Sequence, residues 1–319
     1  MILTPDHTLS FGTASIGGLY APVTSEAAHE VLQSAWDAGI RYFDTAPHYG
    51  NGASEHRLGD FLRDKSDWIL STKVGRILTP DRNPPAVVNG FHSALPLKQH
   101  FDFGYDAIMR SVEDSFQRLG LNRIDILFVH DIGDPGAGTD TAHHRAQLRD
   151  SGAKALRALK EQGVVSAVGL GVNTVEICED LLGQMEIDLI LLAGRYTLLE
   201  QTARDRLFPL LDRYGAKLVI GGVFNSGILA TGPVAGAQYN YAPAPPKVLS
   251  RVAEIEAICT RHDVPMAAAA IQYPARDDHV VSTLIGTSKP GSLLRNVTQF
   301  RSQIPAALWD DLRTAELIA

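Results

Sequence analysis

The sequence predicts an α/β protein, a (β/α)8 barrel with long βα loops over its C-terminal face. Three observations predict it. Eight short apolar runs lie along the chain, and amphipathic stretches with apolar residues at helical spacing alternate with them. Successive runs end in ionisable or turn-forming residues, as buried parallel strands do when they feed the rim of a site. A doubly wound sheet, the rival architecture, would most readily carry Gly-x-Gly-x-x-Gly between its first strand and helix. Here that turn reads Gly12-Thr13-Ala14-Ser15-Ile16-Gly17-Gly18, which lacks the spacing.

The runs that read as strands are residues 9–14, 41–44, 68–74, 124–130, 167–171, 189–192, 217–221 and 281–285. Between them residues 27–38, 108–119, 153–162, 175–185 and 207–214 have the apolar stripe of surface helices. Gly39, Gly120, Gly163 and Gly215 follow such stretches, where a helix end favours a residue that tolerates positive φ. Irregular stretches are expected at 76–104, 132–142, 224–246 and around 286–290, all after strand ends, the side of a barrel where sites are built. The first holds Pro80, Pro84, Pro85 and Pro96; the third holds Pro233, Pro243, Pro245 and Pro246. Both sit mid-chain beside strands, which favours ordered substrate-covering loops over disordered segments. No linker, charge run or low-complexity segment divides the chain, so residues 1–319 read as one domain with one large core.

Composition narrows the function. A net charge of −7 with no basic block argues against nucleic-acid binding. No apolar run approaches the length of a membrane span, and the first residues lack the charged and apolar regions of a signal peptide. A cytoplasmic enzyme is the expectation. Cys178 and Cys259 fall in helical patterns and read as free thiols of a reducing compartment rather than a disulfide. His143-His144 has no acidic or cysteine partner at ligand spacing, so no metal site is expected.

Four scattered residues carry the chemical signal. Asp44 and Tyr49 sit around the end of the second run, Lys73 ends the third, and His130 ends the fourth. Singly, each has a plain explanation: Asp44 holds a turn, Tyr49 packs at the rim, Lys73 is a solvated charge and His130 is a satisfied core histidine. Jointly, at three successive strand ends, they read as a catalytic set. Free tyrosine titrates near pH ~10, too high for ready proton exchange at neutral pH. A neighbouring ammonium favours the phenolate, and a carboxylate holds that ammonium in place and charged. A histidine adds a hydrogen-bonding group beside the reacting oxygen. The set suits an oxidoreductase in which an oxygen exchanges a proton with tyrosine while hydride moves to or from a cofactor.

The stretch Gly39-Ile40-Arg41-Tyr42-Phe43-Asp44-Thr45-Ala46-Pro47-His48-Tyr49-Gly50 resembles the aldo-keto reductase superfamily, as does Leu119-Gly120-Leu121-Asn122-Arg123-Ile124-Asp125 leading to Val129-His130. The likeness runs over residues 11–296. It implies the barrel fold and nicotinamide-dependent redox chemistry, with Tyr49 as acid/base, Lys73 and Asp44 tuning it, and His130 orienting the substrate oxygen. Residues 76–104 and Ile220-Gly221-Gly222-Val223-Phe224-Asn225-Ser226-Gly227 resemble the branch that oxidises aldoses of L-fucose or D-threo type at C1 to lactones. Members that oxidise pyridoxal, which also closes to a cyclic hemiacetal, are near that branch. Pyridoxal oxidation, ordinary carbonyl reduction and a cofactor-binding regulatory role are the alternatives.

The resemblance also implies where a dinucleotide lies. Gly12, Thr13 and Asp44 come from the first two strand ends, and Asn173, ending Gly169-Leu170-Gly171-Val172-Asn173, takes the nicotinamide carboxamide. The family's glutamine near Ala193 is absent. Its stacking aromatic aligns near Gly221, and Phe224 is the candidate replacement. Asn225, Ser226, Gly227 and Leu229 sit where members wrap the pyrophosphate; Gly286, Thr287, Ser288, Ser292, Arg295 and Asn296 sit at the adenosine end, with Asn296 at the adenine. Gly286 and Ser292 occupy places where NADP-preferring members carry phosphate-gripping residues. NAD is therefore the expected cofactor, and NADP the alternative through Lys289 or Arg295.

Overall fold

The computed structural model describes residues 2–92, 94–240 and 242–319. In chain order its strands are β1 (Leu9–Gly12), β2 (Tyr42–Asp44), β3 (Ile69–Val74), β4 (Arg76–Pro80), β5 (Leu97–Phe101), β6 (Ile126–His130), β7 (Ala167–Val172), β8 (Leu189–Ala193), β9 (Lys217–Gly221), β10 (Gln238–Tyr239), β11 (Ala242–Pro243) and β12 (Val280–Ile285). Eight of them close a parallel barrel in the order β1-β12-β9-β8-β7-β6-β3-β2. Phe11 pairs with Phe43 on one side of β1 and Leu9 pairs with Thr283 on the other, which completes the ring. The sequence predicted a barrel of this kind, and every predicted run lies on one of its strands.

Alternation along each strand makes two cores. Tyr42, Ile126, Phe128, Leu189, Leu191 and Val219 point inward and fill the barrel. Phe43, Leu70, Leu127, Val129, Leu170 and Ile190 point outward and meet the helices. Because both faces are buried, these strands read as continuous apolar runs. At the C-terminal end the inward row turns polar, with Asp44, Lys73 and His130 all buried.

The helices are α1 (Ser25–Asp37), α2 (Ala53–Leu62), α3 (Tyr105–Leu119), α4 (Ala142–Gln147), α5 (Ala153–Glu161), α6 (Val175–Leu181), α7 (Thr202–Tyr214), α8 (Ile228–Thr231), α9 (Pro246–Arg261), α10 (Met266–Gln272), α11 (Pro290–Arg301) and α12 (Ala306–Thr314). α1, α3 and α7 start two to five residues before the apolar pattern does, because first turns are polar; Thr24 caps α1 by accepting from the Ala27 amide at 3.2 Å. Gly39, Gly120, Gly163 and Gly215 have φ of 87°, 61°, 71° and 75°, as their places after helices required. None of the described helices is long and apolar enough to cross a membrane.

The segment 76–104, expected to be irregular, contains the antiparallel hairpin β4–β5, with five paired positions from Arg76↔Phe101 to Pro80↔Leu97. It holds Pro80, Pro84, Pro85 and Pro96. They lie at or beyond the far end of the ladder, where missing amide donors do no harm. Residues 224–246 likewise hold the short α8 and the two-residue pair β10–β11.

Where α2 crosses α3, Gly59 allows backbone-to-backbone contact: a Cβ there would stand 1.8 Å from the Leu119 carbonyl oxygen. Alanine in a helix ordinarily stabilises by ~1 kcal/mol over glycine. Here the obstacle is backbone, so Gly59→Ala should instead destabilise by ~1–3 kcal/mol, read as a lower urea midpoint with unchanged slope. A raised midpoint would mean that the two helices separate freely.

Candidate active site

The barrel's polar end is organised by a buried lysine. Ser71 and Lys73 are two apart on β3 and so share its inward face, and Asp44 at the end of β2 pairs in register with Ser71. Lys73 Nζ donates to Asp44 Oδ2 at 2.6 Å, to the Thr45 carbonyl at 2.8 Å and to the Tyr49 hydroxyl at 3.1 Å, which uses all three ammonium donors. Ser71 Oγ donates to the other oxygen of Asp44 at 2.7 Å. Both members of the ion pair are 1% exposed. Burial pushes the Asp44 carboxyl up, and the Lys73 ammonium and Ser71 hydroxyl oppose it. Gly171 on β7 leaves the lane in which the lysine stem lies; a Cβ there would meet Lys73 Cε at 3.3 Å.

Tyr49 is held by the turn after β2. Thr13 Oγ1 donates to the Asp44 carbonyl at 2.8 Å, and Ser54 Oγ donates to Thr13 Oγ1 at 2.6 Å, tying β1, β2 and α2 together. Glu55, the neighbour of Ser54, is fully buried between Thr72 of β3 and Arg118 of α3. Gly50, at φ 65°, passes so close to Gly17 that a Cβ would stand 2.5 Å from the Gly17 carbonyl oxygen.

His130, the last residue of β6, meets the Tyr49 ring edge-on with centroids 5.8 Å apart. His48 lies 5.6 Å from His130, and Phe91 stacks on Tyr49 at 6.1 Å. Burial holds His130 well below the usual imidazole range, aided by the charges of Arg76 and Lys73 and by His48. Burial likewise brings His48 down to about 3, aided by Arg76 and Lys73 against the hydrogen bond to Gln99. Both rings are therefore neutral at neutral pH. His48 Nδ1 donates to Gln99 Oε1 at 3.0 Å, which leaves its Nε2 as an acceptor. His130 Nδ1 is buried without a hydrogen-bond partner among the described residues. A half-buried phenol beside a buried ammonium and a neutral imidazole can exchange a proton with a bound oxygen.

Residues 8–316 match the model of the Aldo/keto reductase family. The chain belongs to that family. It is 45% identical to a pyridoxal 4-dehydrogenase of Microbacterium luteolum, over 98% of this chain and 94% of the relative. It is 40% identical to a D-threo-aldose 1-dehydrogenase of a Pseudomonas species, over 97% and 94%. Among solved structures, a holo-form aldo-keto reductase of Bacillus halodurans superposes with a TM-score of 0.74 at 22% identity, covering 98% of this chain and 92% of that one, which shows the shared fold.

This aldo/keto reductase is thus an oxidoreductase of a family that uses NAD(P). The polar ends of its strands fit such a group. Ser15 Oγ and Thr174 Oγ1, just beyond β1 and β7, are buried without hydrogen-bond partners among the described residues. Asn225, Ser226 and Gly227 run in left-handed conformation after β9, at φ 45°, 60° and 99°, and turns of this kind aim successive amides at anions. A Cβ on Gly286 would stand 2.9 Å from the Gly12 carbonyl oxygen, so β1 and β12 approach closely there.

The remaining residues named from sequence fall as follows. Asn173 Nδ2 donates to Asp131 Oδ1 at 3.3 Å and Asp134 Oδ2 at 3.1 Å. The side chains of Thr13 and Asn225 are committed internally, Asn225 to Thr197 and the Gly194 carbonyl, and Leu229 is fully buried in the core. Phe224 is partly buried against that core. Thr287 accepts from the Lys289 amide, leading from Gly286 and Ser288 into α11. There Arg295 donates to Ser292 Oγ at 3.1 Å, one residue before Asn296. Tyr196 packs in a ring cluster with Phe208 and Tyr273, and His144 stands edge-on to Phe103. No group of three metal-ligating side chains occurs among the described residues.

Sequence reasoning missed Arg76, Phe91, Gln99 and Asp131 and passed over His48, because their roles depend on a hairpin whose register is not a local signal. The one available clue was an ionic residue directly after His130.

Neutral burial of His48 has a pH consequence. Its folded value near 3 lies below the unfolded value of ~6.5, so the unfolded chain binds the extra proton between them. Stability is thus fully present above pH ~6.5 and falls on acidification by up to ~1.4 kcal/mol per pH unit for this group. His48→Gln should flatten the decline of the urea midpoint between pH ~6.5 and ~4. An unchanged slope would place the acid sensitivity elsewhere.

Proposed function

We propose that this aldo/keto reductase oxidises the C1 hydroxyl of a cyclic hemiacetal, an aldose, to the lactone. The observation that carries this reading is the unbroken contact chain Asp44–Lys73–Tyr49, with the neutral His130 ring against the phenol. With Lys73 Nζ at 3.1 Å, a phenolate on Tyr49 would be stabilised by the ammonium. That phenolate accepts the proton of the hemiacetal hydroxyl. His130 orients the same oxygen, and the carbonyl of the lactone forms as the C1 hydrogen leaves. A bound nicotinamide supplies the hydride acceptor. Asn173 and the turns at Gly12, residues 225–227 and residues 286–288 would hold the dinucleotide, with Ser292, Arg295 and Asn296 at its adenosine end. The buried free thiols of Cys178 and Cys259 agree with a cytoplasmic enzyme.

A second reading is favoured by the relative at 45% identity, whose name gives pyridoxal as its substrate. Pyridoxal in its cyclic hemiacetal form would use the same residues in the same roles. Following NADH formation with L-fucose, D-arabinose, L-galactose and pyridoxal separates the two: turnover with a sugar supports the first, turnover with pyridoxal alone the second. Tyr49→Phe should lower kcat by ~10²–10⁴-fold on whichever substrate is accepted while dinucleotide affinity is kept. Near wild-type turnover would remove Tyr49 from the reaction, and turnover with none of the four would overturn the hemiacetal reading.

NAD is the proposed cofactor. Gly286 and Ser292 offer no cation to a 2′-phosphate, and the nearby Arg295 already donates to Ser292 Oγ. kcat/KM should be higher with NAD than with NADP, and Ser292→Arg should narrow the gap by supplying a planar fork suited to phosphate. A wild-type preference for NADP would show that Arg295 or Lys289 already grips that phosphate.

A further inference from the structure

The β4–β5 hairpin reaches the site through a buried ion pair to which the proton-transfer chemistry assigns no part. Arg76 opens β4 and Asp131 directly follows His130; their side chains are 6% and 11% exposed and meet at 2.5 Å. The other terminal nitrogen of Arg76 donates to Gln99 Oε1 on β5 at 2.9 Å, the same oxygen that accepts from His48. Gln99 in turn donates to Asn51 Oδ1 at 2.7 Å, in the turn that carries Tyr49. At the other end, Asp131 Oδ2 lies 3.5 Å from His130 Nε2, and Oδ1 accepts from Asn173. Asp131 itself has a left-handed φ of 50°, unusual for a residue with a side chain, and its amide donates to the Gly171 carbonyl at 2.8 Å. A buried pair of this kind contributes little net stability, so what it fixes in space is the better account of it.

We propose that Arg76 and Asp131 are positioning residues whose pairing fixes His130 and the β4–β5 hairpin in the arrangement that receives the substrate hydroxyl. The proposal rests on the hemiacetal reading for the substrate alone. Charged and titratable groups face His130 from several sides: Lys73 of β3, Arg76 of β4, His48 and Tyr49 after β2, and Asp131 beside it. Arg76 disfavours a proton on that imidazole, whereas Asp131 draws one in, so losing either member acts on His130 with opposite sign. A pair that only held the fold together would leave KM for the substrate unchanged in variants that fold.

The test compares R76Q and D131N in the full chain. Both should raise KM for the accepted hemiacetal by ~10-fold or more, with a smaller change in kcat. R76Q alone should gain an acid limb in kcat/KM, because one of the charges that keep His130 unprotonated is gone. Histidine-selective NMR, which needs no turnover, should show proton uptake at His130 moved toward neutral pH in R76Q and not in D131N. If either single variant does not fold, R76M/D131L, which buries no unpaired charge, should still raise KM without the acid limb. KM and His130 titration within ~2-fold and ~0.3 pH units of wild type in the folded variants would overturn the proposal. The NMR shift in R76Q but not in D131N, without hemiacetal turnover, would instead support the pair's hold on His130 while sinking the substrate reading.

Discussion

The buried ammonium of Lys73 is the constraint around which the top of the barrel is arranged. A charge at 1% exposure is tolerated only when its donors are all matched, since an unpaired buried ion costs several kcal/mol. The three acceptors come from one short stretch, the Asp44 carboxylate, the Thr45 carbonyl and the Tyr49 hydroxyl. That requirement fixes the neighbouring register of β2 and β3, the tight turn that returns Tyr49 to the lysine, and the absence of a side chain at Gly171. Stability and chemistry here are the same contacts seen twice. The bond that satisfies the lysine is also the bond that would stabilise a phenolate.

A second buried cation, Arg76, repeats the scheme with its own carboxylate, Asp131. Between the two pairs lie His48 and His130, both kept uncharged by burial and by those cations. The site thus holds two matched ion pairs and two neutral rings rather than a diffuse positive patch. A neutral imidazole can accept or donate a hydrogen bond without competing for a proton that Tyr49 would exchange on the proposed reading. This separation of charge from hydrogen bonding is what a set of four residues named singly does not convey.

The sequence was informative where structure is local. Apolar runs gave the eight barrel strands because parallel strands are buried on both faces, and period-two alternation is lost there but length and flanking turns are not. Asp44, Lys73 and His130 were legible because each is an ionisable residue at the end of an apolar run, an expensive place unless partnered. The hairpin was not legible: Pro80 and Pro96 sit at the far end of its ladder, and residues 81–96 join its strands without a short turn signal. Arg76 and Asp131 are 55 residues apart, and nothing local to either announces the other. For the adenosine end, Ser292 and Arg295 share one helix face, yet spacing alone did not show their side chains bonded to each other.

These two kinds of legibility correspond to two kinds of constraint on the molecule. Strand ends are held by the barrel's hydrogen-bond ladders, so Asp44, Lys73 and His130, which surround the Tyr49 hydroxyl and ring, stand on the least deformable part of the fold. The hairpin is fastened through side chains, chiefly Gln99 and Arg76, and a change in either alters what lies over His48 and Phe91 without touching the Asp44–Lys73 pair. On the proposed reading, chemistry and substrate recognition can then vary independently: the barrel rim would fix where an oxygen must sit to reach Tyr49, and the hairpin's fastening would bear on which molecule can place an oxygen there.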